Sequence, residues 1–247
     1  MSKNINSASR LHAVLSQAAG MSTNASSLAV WEQIFQIQEE PSEARKAVLI
    51  SERLRWLHQQ LEIVRTQMKQ ANISENLYTA AFNNIEQAIS TLILPTQWNN
   101  GVQYLKPETL LALEFCSEIL PDEELLIDPE TLEEIRSMVQ ELEKSLAVTD
   151  LPESLITLIL HHIELINRAL NQYPITGAKA LREAARTAIG ELIEAKDEVK
   201  ANNNSEEVAQ LGRVWGKINN TADVVIKADK LAQLGSKAWA YLENLLT

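Results

Sequence analysis

The sequence predicts an all-α protein, a multi-helix bundle of about eight to ten mostly antiparallel helices with a C-terminal helical segment. Three observations carry this. Apolar residues recur at steps of three and four, as in Ile50, Leu54, Leu57, Leu61, Val64, Met68 and Ala71, and again in Leu132, Ile135, Val139, Leu142 and Leu146. Such spacing lays one apolar stripe along a helix and lets facing helices interlock at a shallow angle. Glycine and proline number seven each, about half the usual share, so long helices run uninterrupted. Finally, 247 residues bury about 70% or more of the unfolded chain's surface, so the core needs no disulfide or metal.

The first helix is expected from Ser7 to Ala19, closed by Gly20 in the left-handed conformation. A second spans Ser26 to Gln38 with Leu28, Trp31, Ile34 and Phe35 inward, and Pro41 ends it. Ser42 caps a long third helix to Gln70, whose early Glu43 and Glu52 and late Arg65 and Lys69 suit the helix dipole. Ser74 begins a fourth, carrying Tyr78, Phe82, Ile85, Ile89 and Leu92 up to Pro95. Residues 95–106 form the longest irregular stretch, with a turn at Asn100-Gly101, and offer Trp98 and Tyr104 either as contact residues or as rings that fold back to cover the helix ends.

Three later helices open on the same dipeptide, Pro107-Glu108, Pro129-Glu130 and Pro152-Glu153. Proline at the first helical position costs no hydrogen bond, and glutamate favours the positive end of the dipole. Asp128 adds a cap. The helix after Pro152 is the most apolar, with Leu155, Ile156, Leu158, Ile159, Leu160, Ile163, Leu165 and Ile166 on more than one face. After Tyr173-Pro174, Thr176 is expected to open a helix to Ala201. Asn202, Asn203 and Asn204 then break the chain, and Ser205 caps a final segment of one helix, or two divided near Asn219-Asn220-Thr221. The domain reading is therefore a bundle over 1–201 and a C-terminal segment over 205–247.

Small residues mark these late segments: Ala180, Ala184 and Ala188 in one, Ala228, Ala232, Ser236 and Ala240 in the other, with Gly212 and Gly216 between. They imply close approach of helix axes, in a soluble setting because Arg213 and Lys217 flank the glycines.

Charge is concentrated. Residues 107–143 hold twelve acidic side chains and one basic one, Arg136, which accounts for the net charge of −11; the remainder carries 21 of each sign. An acidic face over this stretch is expected to dock a protein partner of basic character, and its candidate contact residues are Glu118, Asp122, Glu123, Glu124, Asp128, Glu130, Glu133 and Glu134, with Trp98 and Tyr104. The competing reading is a solvated face. Direct nucleic-acid binding is disfavoured, since phosphates need clustered lysine and arginine and the best cluster, Lys179, Arg182 and Arg186, is diluted by Glu183.

The sequence carries no complete catalytic or cofactor signature. Asp122, Glu124, Asp128, Glu130 and Glu133 fit five positions of a calcium loop, but Leu126 and Ile127 stand where a ligand and the turn glycine belong. His12, His58, His161 and His162 form no zinc or carboxylate-bridged pattern and read as surface or boundary residues. No nucleophile elbow, phosphate loop or dinucleotide turn occurs. No cofactor or metal is expected. Cys116, the single cysteine, continues an apolar ladder with Ala112 and Ile119 and reads as an inert core thiol. Its solitude and the lack of a secretory signal point to the cytoplasm.

The leading functional reading is a non-enzymatic interaction protein, an adaptor or assembly subunit able to self-associate. A second is a membrane-acting or regulated effector using residues 206–247, where Trp215, Ile218, Val225, Leu231, Leu234, Trp239, Leu242 and Leu245 supply an apolar side. A third is an enzyme whose site is assembled from scattered helix residues.

Overall fold

The computed structural model describes residues 5–37 and 41–225. Among them are eleven α-helices and no strand, apart from one isolated bridge between Ser26 and Gln97. No described helix is long and apolar enough to cross a membrane. The chain forms two compact units, residues 1–123 and 124–247. The asparagine break at 202–204 is a turn inside the second of these.

The first unit holds α1 (Ser7–Ala19), α2 (Ser27–Ile34), α3 (Glu43–Gln70), α4 (Thr79–Ala88), α5 (Asn99–Val102) and α6 (Pro107–Ile119). α1 packs against α2, α3 and α6, and α4 against α6. The stripe of α3 is buried from Ile50 through Met68, and Trp31, Trp56 and Trp98 join it in the core. Asn6 caps α1 by accepting from the Ser9 N–H, and its amide donates to the carbonyls of Ser117 and Leu120, tying the start of α1 to the end of α6.

Several expectations are corrected here. Gly20 ends α1 at φ −79°, not in the left-handed region, because its N–H already closes the helix onto the carbonyls of Ser16 and Gln17. α2 stops at Ile34, and Gln36 takes the positive φ of 50° beyond it. Ser74 starts only a short 3₁₀ turn, Glu75–Leu77; α4 begins at Thr79, and Leu92 lies past its end, 84% exposed. Asn100 and Gly101 sit within the short α5 rather than in a turn, and a Cβ on Gly101 would collide with the Trp98 ring.

The second unit holds α7 (Pro129–Ser145), α8 (Glu153–Thr176), α9 (Lys179–Glu194), α10 (Lys196–Ala201) and α11 (Glu206–Val225). α8 packs on α7 and α9, and α11 on α7 and α9. Leu155, Ile159, Ile163 and Ile166 of α8 meet Leu181, Ala185, Ala188 and Leu192 of α9 in one apolar cluster. Leu160 stays exposed, so α8 has a wet face after all.

α8 continues through Pro174 to end at Thr176, whereas a break had been expected there. Proline has no N–H to give the Leu170 carbonyl, and Arg136 of α7 reaches that oxygen instead, at 3.5 Å. Because the proline falls in the last turn, the helix tolerates it and terminates at Gly177, whose φ is +69°. Thr176 is therefore a helix end and not a cap. Ser205 does cap α11 through the Val208 N–H, and α11 runs unbroken past Asn219, Asn220 and Thr221. Ala180 and Ala188 are buried as the small-residue ladder requires; its second half, Ala228 to Ala240, and the apolar positions Leu231 to Leu245 lie outside the described residues.

Candidate functional site

Pro107 and Glu108 start α6, and the apolar spacing turns Leu113 and Cys116 inward with Thr109 and Ser117. Burial pushes the Cys116 thiol up to about 12, so it stays protonated and unreactive. The opposite side of α6 is exposed and is not purely polar. Leu111 is 63% and Phe115 40% exposed, one helical turn apart, and Glu108, Glu114 and Glu118 stand around them in the same solvent-facing arc.

Beyond α6 the acidic residues separate by task. Asp122 accepts from the Ile5 N–H at 3.0 Å. Glu123 takes the Ser7 hydroxyl at 2.9 Å and the Arg10 guanidinium at 2.5 Å, beside the first turn of α1. Burial alone would raise the Glu123 carboxyl, but the Arg10 charge and the hydrogen bonds from Arg10 and Ser7 outweigh it and hold the group below the ordinary carboxylate range.

In the second unit Glu124 is buried and accepts the Ala178 N–H at 2.7 Å, just ahead of α9. Gly177 makes room for that carboxylate, since a Cβ there would collide with it. Asp128 caps α7 through the Glu130 N–H at 3.0 Å, and Glu134 pairs with Lys217 of α11 at 2.5 Å. Glu130 and Glu133 are exposed, with Glu141 and Glu143 further along α7.

The ten candidate contact residues thus occupy different settings. Glu118, Asp122, Asp128, Glu130, Glu133 and Glu134 face solvent, Glu123 and Tyr104 are half-buried, and Glu124 and Trp98 are inside. Trp98 is a strut and not an exposed contact. Its ring meets Trp31 edge-on at 5.5 Å and its N–H donates to the Ala18 carbonyl at 3.0 Å. What the acidic count concealed is the apolar pair Leu111 and Phe115. Their signal lay in the alternation along α6, where both fall off the stripe that carries Cys116.

A second constellation also went unseen. His162 is wholly buried, not a boundary residue, with the Trp215 indole N–H donating to its Nδ1 at 3.0 Å. Glu191 of α9 reaches both histidines of α8: Oε1 lies 3.1 Å from His161 Nε2, and Oε2 lies 3.2 Å from His162 Nε2. The second approach gives charge attraction but is off the line of a good hydrogen bond. The step from Leu155 and Ile159 to His162 and Ile166 was the available clue, because it places the imidazole on the buried stripe. Among the described residues no group of three or more His, Cys, Asp or Glu is arranged to hold a metal ion.

Comparison with known protein families, with curated proteins and with solved structures returns no match.

Proposed function

We propose that this chain is a non-enzymatic helical interaction protein that docks a basic, amphipathic partner on the outer face of α6. The observation that carries the reading is the exposed pair Leu111 and Phe115 set among Glu108, Glu114 and Glu118. An apolar anchor within a charged surround is the usual composition of a docking patch, and the carboxylates select lysine and arginine on the incoming helix. The same charges oppose a second copy of this chain binding face to face. Covering two partly exposed side chains contributes about 2–3 kcal/mol, less than association costs in lost freedom. Contacts beyond α6, or a transient complex, follow from that comparison.

A labelled synthetic helix with leucines on one face and lysines along its flanks tests this by fluorescence anisotropy on the full chain. The expected results are at least a tenfold loss of affinity for Leu111→Ser with Phe115→Ser, and a comparable loss on raising the salt or replacing the three glutamates by glutamine. Equal binding by wild type and both variants would overturn the assignment to α6.

A further inference from the structure

An indole nitrogen can only donate, so the Trp215 bond obliges His162 Nδ1 to keep its lone pair and puts the neutral ring's proton on Nε2. The two rings meet edge-on at 5.8 Å, with both side chains wholly buried. A proton added to Nδ1 would set N–H against N–H with no room for water between them. We propose that His162 is an acid-sensitive latch for α11: protonation at Nδ1 breaks its hydrogen bond with Trp215 and loosens α11 from α8 and α9. This latch is independent of the docking face on α6.

The charges acting on His162 come from two helices. Glu191 of α9 favours the protonated ring, and His161 of α8 disfavours it. Among the described residues of α11 the group that meets His162 is the Trp215 indole, and Lys217 is engaged with Glu134 of α7. Burial exceeds the pull of Glu191 and holds His162 well below its ordinary value, down to about 4. When α11 opens and water reaches the ring, the ordinary value near 6.5 returns. Opening is then roughly 20-fold more frequent at pH 5 than at pH 7, and roughly 30-fold more than at pH 7.5. The buried Val208, Leu211, Val214 and Ile218 still hold the helix, so the latch makes α11 open more often without detaching it.

Hydrogen exchange on the full chain, corrected for the intrinsic pH dependence of exchange, tests the latch. Amides of 206–222 are expected to open about 30-fold more often at pH 5 than at pH 7.5, with α3 unchanged. His162→Asn keeps an oxygen acceptor for the indole without a titrating ring, and is expected to reduce that factor below about 3; His161→Gln leaves it large. Should the asparagine variant not fold, nitrogen NMR of the wild type gives a separate reading, with the Trp215 indole resonance shifting in step with His162 titration. The latch is overturned if His162→Asn shows the full acid response, or if His162 titrates while the indole resonance stays fixed.

Discussion

Glu123 and Glu124 are neighbours in the chain, yet their carboxylates are stabilised by different chemistry in different units. Glu123 has a counter-charge, Arg10, and the Ser7 hydroxyl, with the Ser7 backbone beside them, so most of its hold comes from side chains with rotamers to spare. Glu124 accepts the Ala178 backbone N–H and fills the space left by a glycine, so main-chain geometry enters its setting directly. A site made of side chains can relax when one atom changes. A contact with backbone has less freedom to do so, and the second unit should be the less forgiving of the two at this point.

The largest expected effect tests that asymmetry directly. Gly177→Ala must adopt φ +69° and also displace a buried carboxylate, so a loss of about 3–5 kcal/mol is expected, confined to the second unit. Urea unfolding followed by exchange of α8 and α9 amides against those of α3 would measure it. A loss under about 1 kcal/mol would show that the main-chain site relaxes as readily as the side-chain one.

Acid separates the units next. His162 is depressed on folding, so its neutral form contributes stability that is complete above about pH 6.5 and drains away as pH falls toward 4, about 3 kcal/mol in all. Glu123 is also depressed, and its contribution is complete above the ordinary carboxylate range and drains away only as pH falls from there to its lower folded value. The second unit should therefore weaken first on acidification. Unfolding monitored by exchange in each unit from pH 7 to pH 3 checks the order, and simultaneous weakening would remove the distinction.

Arg10→Met is expected to cost the first unit about 2 kcal/mol, because it leaves a half-buried carboxylate without its cation. A double-mutant cycle with Glu123→Gln should recover most of that loss, whereas additive losses would mean that Arg10 acts mainly through packing. Smallest of all, Leu111→Ser with Phe115→Ser should cost about 1 kcal/mol, from the weaker helix propensity of serine and the covered part of Phe115. A large destabilisation would place those residues in the fold and remove them from the docking surface.

Where the sequence was legible, the information was local. The bounds of α1 and α3 follow from Gly20 and Ser42 with the apolar step between them, because capping and periodicity act within one or two turns. Pro174 misled for the opposite reason: its missing donor is compensated by Arg136, 38 positions earlier in the chain. The acidic stretch misled in the same way. Twelve carboxylates look alike in sequence, but Glu124 becomes interior because Gly177 and Ala178, far along the chain, make a place for it.

The sequence by itself determined the helical class, the inward stripe of each long helix, the inert setting of Cys116 and the stretch that carries the charge. Those depend on spacing and composition, which neighbours in the chain specify. Only the tertiary structure decided that the chain divides after Glu123, that Trp98 is interior, that Leu111 and Phe115 remain uncovered, and that His162 meets Trp215 and Glu191. Each of these is a pairing across tens of residues, and the energy of a pairing depends on what else is desolvated with it.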